Sequence, residues 1–315
     1  MSRNARPQQV AYLTLLLALL AFACRAYHLD FQSLWRDEVD ALRFATRPFP
    51  ALLATFVRPG ENGPLYFLLL RGWLALSGHS EFALRYLSLL GGVLAVPLTV
   101  ALGRRLVGPR AALLGALFVA TSPYLIWYSQ EGKMYALLMS LVLAALWAFW
   151  GALTQGGWGR WALCWLLTSL AIYVHLLSVL LIGVEVAWFL IASVVRPRTR
   201  RQLGPMLLML ALLTLPYLPL IRWQIRLWLR PSFQTGHPFV PLGAMLAVLL
   251  WGLSRGVQGD SPLWTLTPFV FLLLTGMVLG WREGKEGTEG TAVSYTHLRA
   301  HETRHDLVCR LLLEK

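Results

Sequence analysis

The chain has 315 residues, 57% of them hydrophobic, a mean hydropathy of +0.58 and only 14% charged residues. That excludes a soluble globular domain and fits repeated membrane-spanning helices. A formal charge of +13 would suggest nucleic acid in a soluble protein, but the arginines lie mostly in short loops between apolar stretches. This is the pattern of topology signals, and no nucleic-acid partner is expected. Cys24, Cys164 and Cys309 imply no disulfide framework, since the first two fall inside apolar spans near opposite membrane faces.

Arg3 and Arg6, the apolar run Val10 to Ala23, and Ala21-Phe22-Ala23 before Cys24 together mimic a cleavable signal peptide. Cleaved or not, the segment inserts with a cytoplasmic N-terminus and carries the following residues to the far side. There stand Asp37 and Glu38, adjacent carboxylates just outside the bilayer and preceded by Arg36. They are what an enzyme needs to deprotonate a hydroxyl acceptor at the membrane surface. Between Tyr27 and Gly63, Val39, Leu42 and Ala45 recur at helical spacing, and Leu52, Leu53 and Phe56 follow Pro50. Two short interfacial helices are expected.

Pro64 to Gly78 is too short to cross and carries Arg71 at its middle, so it is read as interfacial or re-entrant. The span Phe82 to Leu102 then runs inward and delivers Arg104, Arg105 and Arg110 to the cytoplasm, as the positive-inside rule requires. Ala111 to Tyr128 returns outward, bringing Glu131 and Lys133 to the face that carries Asp37. Met134 to Leu153 goes in, Trp161 to Val174 comes out, and Leu176 to Val195 returns to the basic cluster Arg196, Arg198, Arg200 and Arg201. Leu203 to Ile221 comes out into a loop from Arg222 to Pro241 with Trp223 and Trp228. Leu242 to Leu253 is read as a surface helix and Leu263 to Trp281 as the last span, for eight crossings in all.

In this order, several elements resemble the GT-C polyprenyl-phosphate-sugar transferases, glycosyltransferase family 39 and its relatives. Protein O-mannosyltransferases and lipid A aminoarabinose transferase belong there. The elements are Asp37-Glu38, Pro64 through Leu70, Glu81-Phe82-Ala83-Leu84-Arg85, Ser122-Pro123 through Tyr135, and Tyr173-Val174-His175. The resemblance covers about Tyr12 to Trp281 and favours an uncleaved N-terminal anchor. It implies an all-α, polytopic membrane helical bundle with short extracytoplasmic surface helices, in the plasma (inner) membrane. It also implies a polyprenyl-phosphate sugar donor, Asp37 beside Glu38 as catalytic base, and inversion at the anomeric carbon. The acceptor would be a lipid, glycan or protein hydroxyl.

A phosphate leaving group needs positive charge as its bond to the sugar breaks, which makes Arg58, Arg71, Arg85 and above all Lys133 the candidates to hold it. Glu131 is a second acidic site, read equally well as a helix cap. Tyr66, Tyr135 and His175 are candidate substrate-lining residues, His175 being more ordinarily structural. Where relatives carry His-Pro or Lys-Pro before Pro-Leu-Tyr, this chain has Asn62-Gly63, which removes a cation. No cofactor is expected, no metal site is assigned, and metal dependence stays open.

Glu185, mid-span, is the one feature that suggests a transporter or flippase instead; the reading adopted is a protonated carboxyl bonded to a neighbouring helix. From Val293 the chain resembles a translated sequencing-adaptor fragment, so His297, His301 and His305, four apart, are not read as a metal site. Residues 1–292 are then an incomplete glycosyltransferase domain and 293–315 a non-native tail, and the protein is expected to be C-terminally truncated.

Overall fold

The computed structural model describes residues 7–56, 63–228, 240–255, 266–280 and 282. Arg58, Asn62 and the tail 293–315 with its three histidines lie outside the described residues. The chain folds as an all-α bundle: α1 (Pro7–Ala26), α2 (Arg36–Thr46), α3 (Phe49–Phe56), α4 (Leu65–Ser77), α5 (Glu81–Leu106), α6 (Pro109–Thr121), α7 (Pro123–Ser129), α8 (Tyr135–Gln155), α9 (Trp158–Val174), α10 (Leu180–Val195, entered through a 3-10 turn at Leu176–Val179), α11 (Leu203–Trp228), α12 (Leu242–Arg255) and α13 (Thr267–Gly280). α1, α5, α8 and the Leu176–Val195 unit are long and apolar enough to cross a membrane, and α6 with α7 makes a fifth if counted as one bent span. The eight expected crossings are therefore not all recovered by length and apolarity. α9, at 17 residues, sits at the lower edge of the spanning range.

The short helices fall where expected. α4 has 13 residues, roughly 20 Å at 1.5 Å per residue, too little for a hydrocarbon core of about 30 Å. α2 and α3 are the two surface helices. The expected outer loop from Arg222 is instead helical as far as Trp228.

Ala111 to Tyr128 is not one straight helix. α6 and α7 meet at 58°, because Pro123 has no N–H to donate to the carbonyl of Val119 and holds Ser122 in an extended conformation, φ −62°, ψ 120°. The orphaned carbonyls are met from α1. Arg25 is fully buried and donates to Val119 O at 2.9 Å, Ala120 O at 3.0 Å and the Ser129 hydroxyl at 3.1 Å. Without the arginine, two carbonyls would face an apolar interior unbonded.

Apolar packing forms three groups. Val10 and Ala21 of α1 pack on Val96 and Ala116; Ala41, Tyr66, Leu84, Met134 and Val174 join α2, α4, α5 and the ends of α8 and α9; Phe149, Trp161, Phe189 and Met209 join α8 to α11. Outside these groups, α1 exposes Leu15 and Leu19 and α10 exposes Leu190, Ile191 and Val194, a surface suited to lipid and unsuited to water. α5 and α8 approach at Gly91, where an added Cβ would lie 2.8 Å from the backbone nitrogen of Leu137, and Ser140 of α8 bonds the Gly91 carbonyl. Small residues let membrane helices come this close. Gly91→Ala should therefore push α8 off α5 and cost about 1–3 kcal/mol, measured as a lower unfolding midpoint in detergent; an unchanged midpoint would refute the close packing.

Candidate active site

The C-terminal ends of α1, α6 and α9 and the N-terminal ends of α5 and α8 converge at one end of the bundle, beneath α2 and α4. Asp37 and Glu38 are in the first turn of α2, where the helix dipole favours negative charge. Neighbouring positions on a helix point about 100° apart, so one carboxylate can turn inward while the other faces out. Glu38 is the inward one, at 1% exposure. It accepts 2.8 Å bonds from Nε and Nη2 of Arg85 and from the backbone N–H of Gly132, and a longer one, 3.4 Å, from Trp35 N.

Arg85 Nη1 donates to the carbonyls of Leu29 and Gln32, each at 2.8 Å, and Nη2 reaches Ser33 O at 3.5 Å. The ion pair thus ties the segment after α1, α2, α5 and the loop between α7 and α8 into one unit.

This corrects two expectations. Glu38 does not sit as a free base beside Asp37, because its oxygens are already occupied by four donors. Arg85 is not available to a phosphate, since its N–H groups are directed to Glu38 and main-chain carbonyls. Arg71 is likewise engaged, donating to the carbonyls of Ala45 and Arg47 and fastening α4 to the end of α2.

Tyr66 does not line a substrate site either: it is fully buried, and its hydroxyl lies 3.1 Å from Ser88 Oγ, which donates to the Lys133 carbonyl at 2.7 Å. Burial holds its phenol well above the usual range. His175 caps the 3-10 turn, accepting from Leu177 N at 3.2 Å, and burial lowers its pKa. Its ring centroid is 6.4 Å from that of Tyr135.

Asp37 and Lys133 lie side by side. Asp37 is half-exposed, and Lys133 Nζ lies 3.7 Å from its Oδ2 with its side chain largely covered. Next to their sequence neighbours Glu38 and Glu131 opens a cavity of about 640 Å³, lined by Trp35, Glu38, Arg85, Trp127, Glu131 and Tyr135, with His28, Phe31 and Tyr128 adding further rings; Asp37 and Lys133 themselves stand outside this lining. Tyr135, a candidate from the sequence, stands in this wall; His28, Phe31, Trp35, Trp127 and Tyr128 were not among the sequence candidates. Ser122-Pro123 was the one signal for Trp127 and Tyr128, because the bend turns α7 across the end of the bundle.

Glu131, 9% exposed, accepts from Trp127 Nε1 at 2.7 Å. Burial raises its pKa above the usual carboxylate value, the Trp127 bond opposing and the Glu38 charge adding. Gln130 bonds the carbonyls of Arg25 and Tyr27, fixing this loop to α1. Among the described residues, no group of His, Cys, Asp and Glu is arranged to hold a metal ion. Glu185 is fully buried; its Oε1 accepts from Thr168 at 2.9 Å with Cys164 Sγ at 3.7 Å, and its Oε2 has no partner.

Removing one member of the Glu38–Arg85 pair leaves the other charge buried alone. Glu38→Gln should cost about 3–5 kcal/mol, read as loss of the monodisperse folded protein in detergent or a steep fall in its unfolding midpoint; wild-type stability would refute the role. Glu131 gives a pH signature. The folded state holds its proton to higher pH than the unfolded chain, so wild-type stability falls as pH rises from the ordinary carboxylate value through the raised one. Melting curves should show Glu131→Gln gaining on the wild type across that window and levelling off above it; a constant difference would contradict the burial argument.

The sequence model of the dolichyl-phosphate-mannose-protein mannosyltransferase family matches residues 59–223, more than half of the chain. The match takes in Arg85, Glu131 and Lys133 and begins after Asp37 and Glu38. Comparisons with curated proteins and with solved structures returned no match. The matched stretch runs from the segment before α4 to the body of α11 and includes the loop that meets α2 across the cavity, so the chain belongs to the dolichyl-phosphate-mannose-protein mannosyltransferase family and is a membrane glycosyltransferase.

Proposed function

We propose that the protein transfers a sugar from a polyprenyl-phosphate donor to an acceptor hydroxyl, with Asp37 as the base, on the extracytoplasmic face of the membrane. The observation that carries the proposal is the half-exposed Asp37 carboxylate held 3.7 Å from Lys133 Nζ beside an aromatic-walled cavity. The acceptor oxygen attacks the anomeric carbon while Asp37 takes its proton. The bond from that carbon to the phosphate oxygen breaks, and its electron pair leaves with the polyprenyl phosphate. Attack from the side opposite the leaving group inverts the centre in a single step.

Lys133 stands where it can offset charge on the departing phosphate, a role the buried Arg85 and the tethered Arg71 are not free to take. Trp35, Trp127 and Tyr135 offer faces against which a sugar ring can stack. The arginine clusters at the other end of the bundle, Arg104 and Arg105 in the last turn of α5 and Arg196, Arg198, Arg200 and Arg201 after α10, support an extracytoplasmic site through the positive-inside rule. The acceptor, in this reading, is a protein hydroxyl as in the family's name, with lipid and glycan hydroxyls as the other substrates to try. Glu185 stands alone as support for the transport alternative: one of its oxygens accepts from Thr168 of α9, the other is buried without a partner, and the other acids with described positions lie at one end of the bundle.

The test is transfer from a panel of radiolabelled polyprenyl-phosphate sugars, mannose first, by membranes carrying the wild type or Asp37→Asn. Loss of a positioned base should slow Asp37→Asn by about 10²–10⁴-fold without lowering its unfolding midpoint, since Asp37 is half-exposed. Transfer at the wild-type rate would exclude Asp37 as the base.

A further inference from the structure

The end of the bundle opposite Asp37 holds a second concave site, of about 670 Å³, lined by Arg196, Arg198, Arg201, Gln155, Gln202 and Thr199 with neighbouring residues. Local structure fixes its frame. Pro197 opens a 3-10 helix, Pro197–Gln202, that carries Arg198 and Arg201 directly after Arg196 at its N-cap. Arg200 fastens the turn to α10 through the Ser193 carbonyl at 3.1 Å, and Gln202 fastens it to α9 by accepting from Trp161 Nε1 at 3.2 Å. Arg196 lies over the ring of Trp150, 5.5 Å from its centroid.

No acid lines this cavity. Among the described residues, the acids from Asp30 to Glu131 belong to the opposite end and Glu185 to the middle of α10. Three arginines therefore line a concave site without an anion from the chain, and guanidinium forks suit phosphate oxygens. The surroundings name the kind of phosphate. The apolar span Leu176–Val195 ends directly at Arg196, which puts the cavity at headgroup depth. Val194 and Val195 on one side and Leu203 and Leu207 on the other are exposed apolar side chains along which acyl chains can lie.

We propose that this cavity binds the phosphodiester headgroup of an anionic glycerophospholipid, with its acyl chains against the exposed flanks of α10 and α11. The site is separate from the transferase centre, and its occupancy does not depend on the reaction assigned there. Basic pockets between membrane helices are suited to such headgroups.

The experiment is native mass spectrometry of the full chain in detergent, titrated with dioleoylphosphatidylglycerol, dioleoylphosphatidylcholine or inorganic phosphate. The wild type should retain the anionic lipid about ten-fold better than the zwitterionic one. Arg198→Gln with Arg201→Gln should remove that preference, and Arg104→Gln with Arg110→Gln, which removes the same charge from the same end outside the cavity, should keep it. Equal retention of the two lipids by the wild type overturns the proposal. Equal loss in both double variants does too, since general surface charge would then suffice. Inorganic phosphate displacing the anionic lipid at equimolar concentration would overturn the acyl-chain contribution and leave a soluble anion as the ligand. If the cavity variant fails to fold, the wild-type lipid comparison still decides.

Discussion

The buried pair of Glu38 and Arg85 is the interaction on which this end of the molecule depends. Ionised groups of either sign are costly in a low-dielectric interior, and this pair is tolerable because its hydrogen-bonding capacity is largely used. The carboxylate receives Arg85, the Gly132 N–H and the Trp35 N–H, and the guanidinium reaches three further carbonyls. The elements joined are separated widely in sequence, and the apolar cluster of Ala41, Leu84 and Met134 packs beside the pair. A hydrophobic replacement could fill the space but would leave the carbonyls of Leu29 and Gln32 and the N–H of Gly132 without partners. The pair therefore sets where the first extramembrane segment and the loop before α8 meet.

A second constraint acts beside it. Pro123 breaks the helix that would otherwise run straight to the surface, and Arg25 bonds the carbonyls that the break exposes. The arginine approaches because Gly92 of α5 has no side chain; a Cβ there would lie 2.1 Å from Ser129 Oγ and 2.8 Å from Arg25 Nε. The consequence is positional. α7 turns across the bundle, and Trp127, Tyr128 and Glu131 face the cavity instead of continuing along the membrane normal.

Much of the fold was legible because bilayer thickness converts helix length and apolarity into a prediction. The long apolar helices and the shortness of α4 follow from that one dimension, and the surface helices from spacing and from the lack of an adequate apolar run. The membrane-glycosyltransferase reading rested on the order of short motifs and is matched by the family found over residues 59–223. What sequence did not disclose was which charges are spent internally. Arg85, Arg71 and Lys133 look equivalent as cations near one surface, and only the paths of α2, α4 and the α7–α8 loop decide that the first two meet carboxylate or carbonyls while the third meets Asp37. Arg25 was passed over for a related reason: at the end of an apolar helix it reads as an interfacial anchor, and its carbonyl partners are 94 and 95 residues away.

The division of labour between adjacent carboxylates bears on how the proposed chemistry is built. Had both side chains turned the same way, two like charges would have shared one small volume, each opposing ionisation of the other. Helical geometry avoids this by sending Glu38 into the protein, where Arg85 neutralises it, and leaving Asp37 at the surface. Gly132 is bonded to Glu38 and Lys133 follows it directly, so the same carboxylate that holds the fold sets the position of the cation beside Asp37. Glu38 acts in this scheme as a positioning residue, and the spacing of base and cation is inherited from the core of the bundle instead of being left to two solvent-exposed side chains. A loop free to move would give the same residues and lose that spacing, which for a displacement needing a base on one side and charge compensation on the other is worth as much as the identity of the groups.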